Sequence, residues 1–141
     1  LQTQANFLVR TYLRGLDAGI QGFNWYTLDG PGWRHGGLLD ENYKPRPAYD
    51  AYAELTTRLG QAIFDGKVNY GAGIEGYAFH QPGERVQGGW SREYSTARIS
   101  VPAAGFVSAK NWDGTSRSTT ASGSNILIDV GFEPVYLTFQ P

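Results

Sequence analysis

The spacing of apolar residues changes near the middle of this 141-residue chain, and the change limits the folds that it can adopt. Before residue 60, apolar residues recur at intervals of three and four, which is typical of amphipathic helices. From about Phe64, short runs of alternating apolar and polar residues are separated by Gly, Pro and Ser, which is typical of strands. The chain is therefore predicted to have an α+β fold, with helices first and a small antiparallel β-sandwich after them.

Two helices and an intervening strand are predicted in the first part of the chain. Gly19 suits the C-terminal cap of the first helix, and the second helix is predicted from Pro47 to Leu59. Between them, Ile20 to Leu28 has apolar side chains at odd and even positions, which indicates a strand buried on both faces, as in a parallel sheet. Such a strand needs neighbours that the chain does not supply, so we expect the chain to be a piece of a longer protein. The apolar stripes of the two helices are Ala5, Leu8, Val9, Tyr12, Leu13 and Leu16, and then Ala48, Ala51, Tyr52, Leu55 and Leu59.

Six or more strands are predicted in the second part of the chain, separated by turns such as Pro82-Gly83 and Asp113-Gly114. The polar stretch from Asn111 to Ser124 is predicted to be a hairpin or a loop. Tyr77, Phe79, Trp90 and Trp112 are expected to pack in the core, because aromatic residues here alternate with polar ones. The apolar positions that define the strands are Tyr77 and Phe79, Val86 and Trp90, Ala97 to Val101, Val107 and Ala109, Ile126 to Val130, and Val135 to Phe139.

The composition argues against several kinds of function. The 12 basic and 13 acidic residues are scattered and give a net charge of -1, so there is no electrostatic footprint for nucleic acid or an anionic membrane. No apolar run approaches the ~20 residues that a membrane helix needs. The chain has no cysteine, and His35 and His80 are 45 positions apart, so neither a disulfide framework nor a metal site is expected.

Several motifs taken together resemble the C-terminal end of clan A glycoside hydrolases. They are a helix QANFLVRTYLRGLDAG, a strand GFNWYTLDG and a return GGLLDENYKPRPAYDAY, followed by a β-domain. Enzymes of that clan are (β/α)8 barrels, often with a small β-sandwich appended. The resemblance implies that residues 1–61 are helix 7, strand 8 and helix 8 of such a barrel, and that residues 62–141 are an accessory antiparallel β-sandwich domain.

The resemblance also implies a chemistry that this chain does not carry alone. Clan A enzymes are retaining β-glycoside hydrolases whose two catalytic glutamates, after the fourth and seventh barrel strands, stand roughly 5 to 5.5 Å apart. Both would precede Leu1, so no catalytic residue, no metal and no cofactor is assigned here. The expected partners are a poly- or oligosaccharide and the remainder of the barrel, with no nucleic acid and no membrane. The compartment is left open, although secretion is common among such enzymes.

Four residues in or after the predicted strand are candidates for substrate binding: Trp25, Asp29, Trp33 and Arg34. Trp25 lies near the carboxyl end of the strand, where barrel active sites form, and its indole could stack on a sugar or pack in the barrel core. Asp29 could accept a hydrogen bond from a sugar hydroxyl, or serve the turn that follows it. Trp33 and Arg34 would overhang the cleft. Trp33 could be a stacking platform for a sugar or could pack within its loop. Arg34 could donate a hydrogen bond to a sugar hydroxyl or could be a solvated surface charge.

An alternative reading is a non-catalytic carbohydrate-binding or interaction module in which the β-sandwich is the functional unit. A third is a purely structural domain that stiffens the longer protein. An exposed, coplanar row of aromatic rings on the sandwich would favour the binding module. Burial of Trp90 and Trp112 would count against it.

Overall fold

The computed structural model describes residues 2–29 and 36–141 of the chain. These residues form two helices followed by two antiparallel sheets, which confirms the predicted α+β fold with a β-sandwich. The larger sheet has five strands in the order β1-β2-β3-β8-β5, and the smaller has three in the order β4-β7-β6. The elements are α1 (Gln2–Asp17), α2 (Pro47–Leu59), β1 (Ile63–Lys67), β2 (Ile74–Gln81), β3 (Glu84–Ser91), β4 (Ala97–Pro102), β5 (Phe106–Asn111), β6 (Thr120–Ser122), β7 (Asn125–Val130) and β8 (Val135–Phe139).

The helix α1 ends in a Schellman motif that fixes the direction of the chain after it. Gly19 has a φ of 80°, a conformation that glycine adopts without a Cβ clash. The amide of Gly19 donates to the carbonyl of Leu16 at 3.1 Å, and the amide of Ile20 donates to the carbonyl of Gly15 at 2.9 Å. The cap at Gly19 predicted from the sequence is therefore confirmed.

The helix α2 occupies the residues predicted for it and packs beside α1. Pro47 stands at the start of the helix, where its missing N–H costs nothing, and Arg46 before it is extended. Tyr12 of α1 and Tyr52 of α2 meet edge to face, with ring centroids 5.8 Å apart. The predicted stripes of both helices lie in or against one hydrophobic core.

All six predicted strands are present, as β2, β3, β4, β5, β7 and β8. The strands β1 and β6 were not predicted. In β1 the burial alternates, but the inward positions are Phe64 and Gly66 and the exposed position Ile63 is apolar, so the sequence shows no alternation of apolar and polar residues. The three residues of β6 are all exposed, so burial imposes no apolar pattern on them.

The prediction of a doubly buried strand from Ile20 to Leu28 is wrong for this chain. The segment forms no strand ladder among the described residues. Its side chains alternate: residues 23, 25 and 27 are half-buried, and residues 22, 24, 26 and 28 are exposed. The physical reason is that α1 covers one side, while no described element covers the other or pairs with the backbone as a neighbouring strand.

Two hydrophobic clusters hold three layers together. The first joins the helices to one face of the five-stranded sheet, through Phe79, Val86, Trp90 and Tyr136 among others. The second lies between the two sheets. The strand β8 contributes to both: Tyr136 faces the helices, while Val135, Leu137 and Phe139 belong to the cluster between the sheets. The strand β8 is buried along its whole length because both of its faces are covered.

Candidate functional site

The segment 20–29 lies along α1 with two aromatic side chains turned towards the helix. The Phe23 ring packs on Tyr12, with centroids 4.7 Å apart, and fits against Gly15, where a Cβ would come within 1.7 Å of it. The Trp25 ring meets Phe7 edge to face, with centroids 6.5 Å apart. These contacts leave the opposite side of the segment open.

The open side carries Asn24, Tyr26 and Leu28. Tyr26 is 80% exposed, although tyrosine rings of this size usually bury much of their area in a folded protein. The peptide bond between Tyr26 and Thr27 is cis. An aromatic face, an amide and an apolar side chain therefore share one solvent-facing surface, which we call the open face of the segment.

The carboxyl end of the segment is held by hydrogen bonds to Gly36 and the residues after it. The carbonyl of Gly36 accepts from Trp25 Nε1 at 3.0 Å and from Gln4 Nε2 at 2.8 Å. The amide of Leu38 donates to the carbonyl of Thr27 at 2.9 Å, and the Leu39 amide donates to Leu28 at 2.8 Å. Gly36 and the residues after it therefore lie beside the carboxyl end of the segment.

The turn that follows is built on the side chain of Asp40. The Asp40 carboxylate accepts from the amides of Asn42 at 2.8 Å and Lys44 at 2.9 Å. The pKa of Asp40 is lowered chiefly by the hydrogen bond from the Lys44 amide, and also by the bond from the Asn42 amide and by nearby positive charge. A carboxylate engaged in this way closes a turn and is not free for catalysis.

The structure describes two of the four predicted binding residues, Trp25 and Asp29. Trp25 faces α1 and holds Gly36, while Asp29 is exposed at the end of the segment. Trp33 and Arg34 lie outside the described residues. Tyr26, on the open face, was not singled out as a site residue. The alternation of odd and even positions was visible in the sequence, but both sets are apolar, so nothing there showed which set α1 would cover.

A separate polar pocket of about 560 Å³ lies near the other end of α1. Arg14, Lys67, Glu75, Tyr77 and Arg92 contribute to its wall. None of the residues 20–29 lines it, so it is not part of the open face.

Among residues 2–29 and 36–141, no group of three or more His, Cys, Asp or Glu side chains is placed to hold a metal ion. No helix in the same ranges has the length and apolarity required to cross a bilayer.

Comparisons with known proteins place the fold among glycoside hydrolases. The chain is similar to a family 39 glycoside hydrolase from the gut symbiont Bacteroides cellulosilyticus WH2, with a TM-score of 0.80 and 25% identity over 96% of this chain and 30% of that one. It is also similar to the catalytic domain of the family 30 xylanase C from Talaromyces cellulolyticus, with a TM-score of 0.76 and 15% identity over 97% of this chain and 35% of that one. A family 30 endoxylanase from Clostridium papyrosolvens C71 matches with a TM-score of 0.70 and 8% identity, over 100% of this chain and 39% of that one.

No protein-family model and no curated protein matches the chain. The chain spans only about a third of the solved structures that it resembles. The likenesses to the two family 30 enzymes concern the fold alone, since the identities are low. The resemblance to the C-terminal part of clan A glycoside hydrolases, predicted from the sequence, is confirmed by these structural neighbours.

Proposed function

We propose that this chain is the C-terminal part of a retaining β-glycoside hydrolase, in which it supplies one wall of the sugar-binding cleft and an accessory β-domain. The observation that carries the proposal is the fold similarity to a family 39 glycoside hydrolase over nearly the whole chain. The division into a barrel end at 1–61 and an accessory domain at 62–141 belongs to the same proposal. The activity itself is a property of the whole hydrolase, because the two catalytic glutamates stand outside this chain.

The open face of the segment is the part that contacts substrate in this proposal. Helices lie outside the strands of a (β/α)8 barrel, and α1 covers the side of the segment that carries Phe23 and Trp25. The opposite side, with Asn24 and Tyr26, then faces the barrel axis. Asp29 follows at the carboxyl end, where barrel enzymes build their active sites.

The chemistry of these side chains suits a sugar. The exposed Tyr26 ring offers an apolar face to the C–H groups of a pyranose and a hydroxyl at its edge. The Asn24 amide and the Asp29 carboxylate give hydrogen-bond partners for sugar hydroxyls. Trp25 enters as a positioning residue, because its ring packs on Phe7 and its Nε1 holds Gly36. Direct stacking of Trp25 on substrate stays a prediction, as do contacts from Trp33 and Arg34.

The proposal is tested with a chimaera in which this chain replaces the matching 30% of the family 39 hydrolase. We expect a folded chimaera to hydrolyse the substrate of its host, and Tyr26→Ala to lower its kcat/KM roughly 2- to 12-fold through lost stacking. Tyr49→Ala, at another exposed tyrosine on the outer helix α2, is the matched control and should leave kcat/KM unchanged.

Two results would count against the proposal. A chimaera that unfolds in one cooperative transition yet has no activity contradicts the assignment of the chain to a hydrolase. Turnover of chromogenic β-glycosides by the 141-residue chain alone contradicts the placement of both glutamates elsewhere.

The alternative of a binding module built on the sandwich is disfavoured by its tryptophans. Trp90 is 0% exposed and Trp112 is 7% exposed, and both belong to the core beneath the helices. Tyr77 and Phe79 are buried in the same core, as predicted. The four aromatic side chains therefore make no coplanar row on the surface.

A further inference from the structure

Tyr94 is the most exposed aromatic residue in the described part of the chain, with 88% of its surface accessible. It lies between β3 and β4, and its ring stacks on Phe132, in the loop before β8, with centroids 4.3 Å apart and planes 14° apart. An exposed tyrosine in a turn ordinarily points into water. Here the ring is held parallel to a second ring, which fixes its orientation.

The Phe132 ring is in turn supported from the core. The Arg10 guanidinium lies over Phe132 at 3.5 Å from the ring centroid and over Trp90 at 5.3 Å. A parallel ring and a guanidinium do not fit on the same face of Phe132, so Tyr94 and Arg10 occupy opposite faces. Tyr94, Phe132, Arg10 and Trp90 thus form a column, which we call the aromatic column, from an exposed ring down to a fully buried one.

Backbone hydrogen bonds fix the two loops that carry the outer rings. Arg10 Nη2 donates to the carbonyls of Ser91 and Phe132. The Ser91 amide donates to the carbonyl of Gly131 at 2.7 Å, and the Arg92 amide donates to that of Gly73 at 2.8 Å. Burial lowers the pKa of Arg10 only to about 10, so its charge is kept at neutral pH and the cation–π contacts persist.

The aromatic column and the proposed cleft wall both contact residues 2–10 of α1. Gln2 donates to Glu133 at 2.5 Å, and Arg10 donates to the carbonyl of Phe132, so this part of the helix contacts the loops that carry the column. It also contacts the proposed cleft wall, because Gln4 binds Gly36 and Phe7 packs on Trp25. The segment 20–29 and the aromatic column therefore lie on two sides of one helix, and the diameter of a helix is about 10–12 Å.

We infer that Tyr94 is a second stacking platform, which binds a distal sugar unit of a saccharide chain that extends beyond the cleft. The inference rests on the proposed function, because that supplies the saccharide. A ring fixed in advance loses little entropy on binding, so its open face can stack on a pyranose at low cost. Arg92 and Glu93, both exposed on the same loop, provide a donor and an acceptor for the hydroxyls around it.

The test is an NMR titration of the ¹⁵N-labelled 141-residue chain with xylohexaose and with cellohexaose, because the Tyr94 site lies wholly within this chain. We expect amide shifts at residues 91–96 and 131–133. Tyr94→Ala should weaken the affinity read from these shifts roughly 2- to 12-fold, while Tyr94→Phe, which keeps the ring, should preserve it within about twofold. Tyr49→Ala, on α2, is the matched control and should change nothing.

Any of three results would overturn the inference, and each is distinguishable from failure of the proposed function. Shifts at residues 20–29 without shifts at 91–96 would remove the second platform and leave the cleft wall in place. An absence of shifts at 91–96 with both oligosaccharides at saturating concentration would also overturn it, while the chimaera assay decides the proposed function independently. Equal affinity of wild type and Tyr94→Ala would show that the shifts do not come from stacking on this ring.

Discussion

At the scale of single residues, Glu75 of the five-stranded sheet is a carboxylate that binds α1. It accepts hydrogen bonds from Arg14 at 2.6 and 2.9 Å and from the Tyr77 hydroxyl at 3.0 Å, and the Arg92 guanidinium stands 3.7 Å away. Burial alone would raise the pKa of Glu75, but these hydrogen bonds and positive charges outweigh it, so the pKa lies below its ordinary value of 4.5. Its ionised form therefore stabilises the folded chain.

Glu75→Gln should lower the free energy of unfolding by about 1 to 3 kcal/mol near neutral pH, because Arg14 loses a charged hydrogen-bond partner. Since the folded pKa of Glu75 is lowered, the advantage of the wild type is complete above its unfolded pKa and shrinks as the pH falls through the folded pKa. Urea denaturation from neutral pH down into the acid range measures this difference.

The matched control for Glu75 is Glu41→Gln in the exposed turn after Asp40. It should change the free energy of unfolding by less than about 0.5 kcal/mol. A wild-type advantage over Glu75→Gln that stays constant into the acid range would show that the carboxylate charge is not what stabilises the chain.

At the scale of elements, the position of the segment 20–29 depends on a glycine in α1. Gly15 leaves room for the Phe23 ring, three atoms of which would lie within 2.8 Å of a Cβ at that position. Glycine weakens a helix interior by about 1 kcal/mol relative to alanine, so this residue costs α1 stability while it admits the ring. The docking of the segment on α1, and with it the direction in which Tyr26 points, follows from that fit.

Gly15→Ala should therefore destabilise the chain by about 1 to 3 kcal/mol, despite the better helix propensity of alanine, because Phe23 must move. In a Phe23→Ala background the same substitution should be neutral or stabilising, because the clash is gone. A double-mutant cycle by urea denaturation measures the coupling between the two positions.

Gly22→Ala is the control for the cycle, since a Cβ at Gly22 would have no other atom within 4 Å. It should leave the stability nearly unchanged. Equal effects of Gly15→Ala with and without the Phe23 ring would mean that the ring does not depend on the glycine.

At the scale of the whole molecule, the helices and the five-stranded sheet share one hydrophobic core. Leu8 and Leu13 of α1 pack in the same cluster as Trp90 and Tyr136 of the sheet. The cluster between the two sheets then joins the smaller sheet through β8. The predicted parts 1–61 and 62–141 are therefore packed against each other through large buried side chains, and we expect them to unfold together.

The chain should unfold in one cooperative transition, with helical circular dichroism and tryptophan fluorescence following the same curve. Leu8→Ala, which removes a fully buried side chain from α1, should lower the free energy of unfolding by about 2 to 5 kcal/mol and shift both signals equally. Thr3→Ala, at an exposed position on the same helix, is the control and should change the free energy of unfolding by less than about 0.5 kcal/mol. Two separate transitions, with Leu8→Ala affecting only the helical signal, would show that the two parts are independent.

Much of the fold could be predicted from periodicity. The stripe of α1, the bounds of α2 and six of the eight strands follow from local patterns of burial, because each element repeats its own spacing along the chain. The strands β1 and β6 could not be predicted in this way, since β1 has a glycine at an inward position and an exposed isoleucine, and β6 is exposed along its whole length.

The candidate site depended much more on tertiary contacts. The sequence shows that an aromatic segment follows α1 and that Asp29 lies at its end. That Trp25 faces the helix and Tyr26 faces solvent is known from the packing alone, because each side of the segment carries an aromatic residue and alternation does not show which side α1 covers. The aromatic column under Tyr94 has the same origin: Arg10, Trp90 and Phe132 are far apart in the sequence, and only the packing of α1 on the sheet brings them together.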